Sequence, residues 1–407
     1  MDFNEDYRLT RRDGEFLRVV ASILVVAAHC VHFWVEDFYS TRNIPSLGFF
    51  ATFIDQFTRF TVPVFFFLSG FGLTSQFLQK PPKLSTYYRF RLGKIFAPFL
   101  LWSFITAFRH IDYLLDEMPW REAFVPTALR FLKFLFIDGF DYQYYFVIVI
   151  FQFYLLFPLI FKLAKNRWFL LGVLLLQLAF MSPVEGYLEP FGWELPAFHS
   201  NLLLFYGFYC VAGMYAAWHR DFLSGILRHL SNPQVVFFWV GSFGLILAEY
   251  WLNIKMGKGL YDSDHFNRWS VVLYCVACLL LFVKMKPALQ TFFQNRHWVF
   301  LFTGIAPYTF FVYLAHTHVL RIVDFLSWEV TITDFFSRIV WVVLGSYALA
   351  WLAQWLLEDY PKLRFALGLP KTPLRAEDLP GHSYLSSRLL RSKPSDSVPV
   401  NTASAVE

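Results

Sequence analysis

The stretch that decides the fold is LRVVASILVVAAHC, residues 17–30, which is apolar except near its two ends. An apolar stretch of this length, continued by the residues on either side, predicts a membrane-spanning helix. An α-helix turns about 100° per residue, so Arg18 and His29 fall on one stripe, roughly 16 Å apart along the axis. The sequence therefore predicts a cation near one membrane surface and an imidazole deep in the same helix.

The composition of the whole chain indicates an integral membrane protein. Of 407 residues, 57% are hydrophobic and 21% aromatic. Only 16% are charged, against about 25% in soluble domains. The net charge of +5 is attributed to loop bias, so no nucleic-acid partner is expected. The cysteines lie in apolar segments and predict no disulfide framework; Cys275 and Cys278 are interpreted as packing residues, with a metal or redox role as the alternative.

Apolar windows along the chain predict an all-α polytopic bundle of about ten membrane helices. The windows are 16–35, 48–78, 89–109, 143–164, 167–183, 200–219, 234–253, 268–285, 297–326 and 334–358. The second and ninth windows exceed one bilayer thickness, so they are expected to tilt, kink or protrude, and Pro63 and Pro307 offer kink sites.

Charge bias predicts how the bundle is oriented. Most of the 35 Lys and Arg residues lie in the segments on one side of the predicted membrane. The segments on the other side contain several Asp and Glu residues. By the positive-inside rule both termini are expected in the cytoplasm. The predicted organisation is a cytoplasmic N-terminal segment over 1–15, a transmembrane domain over 16–361 and a disordered Ser/Pro-rich cytoplasmic tail over 362–407.

Ionisable groups inside predicted spans are candidates for function because a bilayer makes them costly. His29 is a candidate proton carrier, with a structural histidine as the alternative. Asp55 and Arg59 have the spacing of an intrahelical ion pair. Alternatively, Asp55 orients a histidine while Arg59 holds an anionic or sugar group. Ser69-Gly70-x-Gly72 is interpreted mainly as a helix-packing site, or as a place where a ligand meets the backbone.

Basic residues open the third predicted span, YYRFRLGKIFAP (87–98). Arg91 and Lys94 share a helix face, and Arg89 points elsewhere. These cations either anchor the helix to anionic lipid or hold a phosphate-bearing cytoplasmic ligand. Arg18 is likewise explained either as a snorkelling anchor or as part of that site.

The ninth span, APYTFFVYLAHTHVLRIVDF (306–325), is the most polar of the later spans. It contains His316, His318, Arg321 and Asp324. These residues are expected to line a wet cavity, with pairing between Arg321 and Asp324 as the structural alternative. A metal held by its two histidines is disfavoured because an i, i+2 pair diverges on a helix. The last span ends in WLLEDYP (355–361), which carries Glu358 near the cytoplasmic face.

Six of these segments, in order along residues 15 to 361, resemble acyltransferase family 3, whose members are integral membrane O-acyltransferases of bacterial surface glycans and related acceptors. They are Arg18-x10-His29, RFTVPVFFFLSG (59–70), Arg89-x-Arg91-x2-Lys94, YYFVIVIFQFYLLFP (144–158), Tyr308–Tyr313-x2-His316 and Glu358-Asp359-Tyr360-Pro361. Three departures stand out. Tyr145 replaces a common Trp, Pro307-Tyr308 replaces Ser-Tyr, and the Glu-x-Pro ending has one extra residue.

The resemblance implies an acyl-CoA co-substrate, most commonly acetyl-CoA, and an acceptor hydroxyl on a glycan or glycolipid. It implies residence in the bacterial inner membrane among membrane lipids, with no bound cofactor and no metal. The residues that match or accompany its motifs take three expected roles. His29 is the base or an acyl relay, with Asp55 fixing its tautomer; Arg18, Arg89, Arg91 and Lys94 bind the donor; Arg59, His316, Arg321 and Glu358 bind the acceptor or line the cavity.

A transporter or flippase of a glycan or lipid-linked sugar is the alternative function. Many spans, kinked helices and buried His, Arg and Asp residues suit such a protein. The sequence shows no inverted repeat, which disfavours it. A basic funnel that ends at His29 favours the enzyme, whereas a continuous polar path through two related halves favours the transporter.

Overall fold

The computed structural model describes residues 7–41, 44–110, 120–184, 201–263, 266–294, 302, 304–326 and 331–371. Of these residues, 87% are helical and none lies in a strand. The predicted all-α fold is therefore confirmed.

The helices follow the predicted windows in order. They are α1 Arg11–Glu36, α2 Pro45–Thr58, α3 Thr61–Gln79, α4 Leu84–Ala107, α5 Trp120–Lys133, α6 Tyr145–Ile160, α7 Arg167–Val184, α8 Gly207–Trp218, α9 Arg220–His229, α10 Asn232–Lys255, α11 Trp269–Gln294, α12 Thr309–Leu326, α13 Ile332–Leu356 and α14 Pro361–Leu367, with a four-residue helix at Leu260–Ser263 left unnumbered. Three of them, α5, α9 and α14, lie outside the predicted windows. Within the described ranges, 8 candidate spans are long and apolar enough to cross a membrane. The fifth window forms α7, whose apolar part Arg167–Met181 is shorter than the 8 candidate spans, and the sixth forms the 12-residue α8.

The long second window is interrupted between α2 and α3, close to Pro63, which was the expected kink site. Helix α2 ends at Thr58 and α3 begins at Thr61. Pro63 has no N–H to donate to the carbonyl of Arg59, four residues earlier, and its ring crowds that carbonyl. In the ninth window, Pro307 lies in a 3₁₀ turn that directly precedes α12. Both prolines thus mark changes of helix geometry.

Helices α3 and α8 cross with their backbones in contact. A Cβ atom built on Gly70 would lie 2.0 Å from the carbonyl oxygen of Cys210, and one on Gly213 would lie 2.0 Å from that of Phe67. No larger residue fits either position without moving a helix. The packing interpretation of Gly70 is confirmed, whereas a Cβ on Gly72 would meet nothing within 4 Å.

The chain continues as an ordered strap after the last long helix. Helix α14 and the residues up to 371, here called the C-terminal strap (361–371), pack against α4. The indole N–H of Trp102 donates to the carbonyl of Leu367 at 3.2 Å, and Leu369 is buried in the core. The predicted start of the disordered tail at 362 is therefore too early, because apolar residues of this segment bury against the bundle. The rest of that tail lies outside the described residues.

Candidate active site

One continuous helix carries both ends of the predicted Arg18–His29 stripe. Helix α1 starts with a capping box, in which Thr10 accepts a hydrogen bond from the backbone N–H of Asp13 and the Asp13 carboxylate accepts one from the backbone N–H of Thr10. It then runs unbroken from Arg11 to Glu36. Arg18 and His29 are consequently about 16 Å apart along one helix axis, as the sequence predicted.

His29 forms a close pair with His316 of α12. Nδ1 of His29 lies 2.6 Å from Nε2 of His316. The two rings are stacked, with centroids 4.9 Å apart and planes inclined by 11°. His316 is completely buried, and the ring of Tyr142 meets His29 edge-on at 4.8 Å. The structure thus brings together a predicted catalytic residue and a predicted cavity residue from distant helices.

The hydrogen bonds of this pair fix the tautomer of each ring. Nδ1 of His316 lies 3.1 Å from the carbonyl oxygen of Val312, and a carbonyl can only accept, so this nitrogen carries the proton. Nε2 of His316 is then an acceptor and Nδ1 of His29 is the donor to it. Nε2 of His29 therefore has the basic lone pair, and no described residue hydrogen-bonds it. This is the arrangement of a general base held by a second group.

Asp55 contacts a different histidine from the one expected. It is 2% exposed, its Oδ1 lies 3.4 Å from Nδ1 of His32, and its Oδ2 accepts from Arg59. His29 bonds to His316 instead, so the expected role of Asp55 in fixing the His29 tautomer is not supported. The reason is angular, because three residues separate His29 from His32 and their side chains leave α1 about 60° apart.

A buried polar layer that sequence reasoning missed extends from Asp55 toward α10 and α11. Gln56 donates to Asp55 at 3.0 Å and accepts from the guanidinium of Arg268, which is 1% exposed. Arg268 also lies 4.0 Å from the carboxylate of Glu249. The available signal was the arginine at the first position of the apolar window 268–285, which is costly in a bilayer unless it is paired.

A second network that sequence reasoning missed surrounds Asp141. Asp141 is the residue before Tyr142, whose ring contacts His29. Oδ2 of Asp141 accepts from Arg109 at 2.9 Å and from Thr317 at 3.1 Å. Arg321 lies 3.7 Å from Oδ1 and is about half exposed. Arg321 therefore pairs across helices rather than with Asp324, its expected neighbour on α12.

Asp324 is held instead by Arg338 of α13. Nε and Nη2 of Arg338 donate to the two carboxylate oxygens at 2.6 and 2.8 Å. The same guanidinium donates to the carbonyl of Cys30 and lies 4.2 Å from the ring centroid of Trp34. This bidentate pair satisfies both carboxylate oxygens of Asp324. The i, i+3 spacing on α12 had suggested Arg321 as the partner of Asp324 instead. Arg338 thereby fixes α1 directly beside His29.

At the opposite end of the Arg18–His29 stripe, cations from several elements converge. Arg18, Arg91 and Lys94 lie close enough to interact electrostatically, and Lys371 of the strap joins them. We call these four residues the cation cluster. Arg18 and Lys94 are exposed. Arg91 donates to Gln76 and lines a cavity of about 380 Å³ between α3 and α4.

The remaining predicted residues lie outside these contacts. Arg89 is exposed on α4. Glu358 is exposed in the turn between α13 and α14, so the structure gives no support to its expected acceptor or cavity role. Cys275 and Cys278 carry free thiols. Within the described part of the chain, no three His, Cys, Asp or Glu side chains are grouped as metal ligands.

Apolar helices surround the His29–His316 pair, and Arg18, on the same helix as His29, belongs to a cation cluster drawn from α1, α4 and the strap. These are features of an integral membrane protein that keeps ionisable groups inside its helix bundle. A family model described as an acyltransferase domain (acyltransferase family 3) matches residues 14–355. The chain belongs to this family, and it is an integral membrane acyltransferase. No match to a curated protein or to a solved structure was found.

Proposed function

We propose that the protein is an O-acyltransferase that moves an acyl group, most commonly acetyl in this family, from cytoplasmic acyl-CoA to an envelope acceptor. The acceptor is a hydroxyl of a surface polysaccharide, a lipid-linked sugar or a similar molecule. The observation that carries the proposal is the tautomer of His29, whose Nδ1 bond to His316 leaves Nε2 basic.

In the direct reaction, Nε2 of His29 takes the proton of the acceptor hydroxyl as that oxygen attacks the thioester carbonyl. The new ester C–O bond forms and the C–S bond breaks. The imidazolium then gives the proton to the departing CoA thiolate. The bond from Nδ1–H of His29 to His316 strengthens when His29 becomes positively charged, which favours the transition state over the ground state.

A covalent relay uses the same nitrogen. Nε2 of His29 attacks the thioester carbonyl, the C–S bond breaks, and CoA leaves as the thiolate. The acceptor hydroxyl then attacks the acyl carbon, the C–N bond to His29 breaks, and the freed Nε2 takes the hydroxyl proton, which balances the thiolate released in the first step. This route suits an acceptor that arrives from the opposite side, since the acyl group is already inside the membrane. Both routes predict that Nε2 of His29 is indispensable.

The donor is proposed to enter at the cation cluster. Arg18, Arg91 and Lys94 offer charge to the phosphates of CoA, and guanidinium groups bind phosphate through paired hydrogen bonds. The roughly 16 Å along α1 to His29 is comparable with the length of a pantetheine arm. Since positive residues mark the cytoplasmic side, this end and both termini are placed in the cytoplasm of a bacterial cell, with the protein in its inner membrane.

The acceptor is proposed to approach from the side of His29 that carries the Asp141 network. Arg321 lies at Asp141 with about half of its side chain exposed, and Asp141 adjoins Tyr142, whose ring touches His29. Arg59, held by Asp55, is a second cation near His29. Charged groups of this kind bind sugar hydroxyls and anionic substituents through hydrogen bonds.

The test is mass spectrometry of envelope glycans and glycolipids from cells that carry the wild-type protein or His29→Ala. The variants are compared at equal membrane abundance, with the exposed His229→Ala as the matched control. We expect an alkali-labile ester with the wild type and the control, and its loss with His29→Ala. The same ester pattern in all cells would exclude His29 as the base. Altered glycan export without any ester would favour the transporter.

A further inference from the structure

The C-terminal strap brings a cation to the proposed donor site from beyond the matched domain. The family model ends at residue 355, and the strap begins at 361. Lys371, its last described residue, is an electrostatic neighbour of Lys94, as are Arg18 and Arg91. The cation cluster thus includes a residue that the family domain does not supply.

The position of Lys371 is fixed by the packing of the residues before it. Leu367 is bonded to Trp102 of α4, and Leu369 is 6% exposed. Gly368 has φ = 81°, and a Cβ there would lie 3.1 Å from Phe310 and 3.4 Å from Pro98. Glycine at this position lets the strap turn closely against α4 and α12, so that Lys371 is held near the cluster.

The charge balance of this region favours an anionic ligand. Like charges that converge repel one another, and bringing them together destabilises the protein unless an anion compensates them. Glu15 is the acidic neighbour of Arg18. On the strap itself, Nε and Nη1 of Arg364 are buried and have no hydrogen-bond partner in the described structure. The strap therefore also contributes buried guanidinium donors that an anion could satisfy.

We propose that Lys371 is a donor-binding residue, through which the C-terminal strap contacts a phosphate of the nucleotide half of the donor. This inference rests on the proposed function, in which the donor is acyl-CoA. It adds a contact from outside the family domain and predicts that the strap contributes to donor affinity rather than to the chemical step.

The experiment measures binding of coenzyme A to the purified full chain in lipid nanodiscs. Lys371→Ala is expected to raise Kd about fivefold at low salt, since an exposed charge contact contributes modestly and a tenfold change in Kd needs about 1.4 kcal/mol. Lys371→Glu is expected to weaken binding further, and Lys371→Arg to restore it. Lys362→Ala is the matched control, since Lys362 is exposed on the same strap, and should bind like the wild type.

The kinetic readout separates binding from a structural role. With Lys371→Ala, the KM for acetyl-CoA should rise while kcat at saturating donor stays unchanged. Wild-type affinity in Lys371→Ala, or an equal loss in Lys362→Ala, would overturn the role of Lys371 and leave the proposed function intact. Absence of coenzyme A binding by the wild type would instead overturn the donor assignment, and the inference with it.

Discussion

Nδ1 of His29 and Nε2 of His316 lie 2.6 Å apart although 287 residues separate them in the chain. The bond continues to the carbonyl of Val312, so three groups in series determine which nitrogen of His29 is basic. An orienting group next to a catalytic base is a familiar arrangement, but here the group is a second imidazole rather than a carboxylate.

His316→Leu is expected to lower kcat about tenfold or more, because it removes the acceptor for Nδ1–H of His29 and a loss of about 1.4 kcal/mol in the transition state gives that factor. His316→Gln keeps an acceptor oxygen and should retain more activity. Steady-state kinetics with saturating donor give the comparison. If Leu and Gln variants are equally active, His316 does not orient His29.

Arg18→Ala is expected to raise the KM for the acyl-CoA donor by about tenfold while kcat changes little, because a lost charged hydrogen bond amounts to about 1.5 kcal/mol or more. Arg89→Ala tests the exposed cation on α4 that was expected to share this role. A rise in KM for Arg18→Ala alone would place the donor phosphates at the cation cluster. An equal rise for both would extend the site around α4.

Asp55→Asn is expected to affect stability more than the chemical step. The carboxylate is buried and is an ion-pair partner of Arg59, and removing one member of a buried pair destabilises by about 3 kcal/mol or more. Thermal unfolding of the purified protein should show a lower Tm. Where the variant folds, kcat close to that of the wild type would agree with its contact to His32. A loss of kcat with a normal Tm would instead indicate that Asp55 has a catalytic role.

Gly213→Ala is expected to destabilise the bundle, because its Cβ would meet the carbonyl of Phe67 at 2.0 Å. Overpacking of this kind costs about 1–3 kcal/mol. Gly70→Ala should destabilise the bundle in the same way, because its Cβ would meet the carbonyl of Cys210 on α8. Gly72→Ala is the matched control, since open space surrounds that position. Equal Tm values for the Gly213 and Gly72 variants would contradict the close crossing of α3 and α8.

Arg338→Lys is expected to reduce activity although the charge is kept. A lysine cannot hold both oxygens of Asp324 while it also donates to the carbonyl of Cys30, so α1 loses its brace beside His29. Activity at equal protein abundance, measured together with Tm, checks this. Full activity in Arg338→Lys would show that the brace does not position His29.

The sequence alone determined the helical membrane fold, the broken second window, the packing role of Gly70 and the register of Arg18 with His29. These follow from local rules: apolar length sets a span, proline removes a hydrogen bond, and the helix pitch sets which residues share a stripe. The polar residues near the site were also recognisable, because a charge in an apolar window is costly wherever it occurs.

The tertiary structure decided which of these groups pair. Asp55 keeps the ion pair with Arg59 that its spacing predicted and also contacts His32. Arg321 pairs with Asp141, Asp324 with Arg338 and His29 with His316. Spacing along one helix cannot choose between such partners, because a neighbouring helix can offer better geometry from the opposite side. The strap shows the same limit, since the burial of Leu369 depends on contacts with α4 and α12, which lie far from it in the chain.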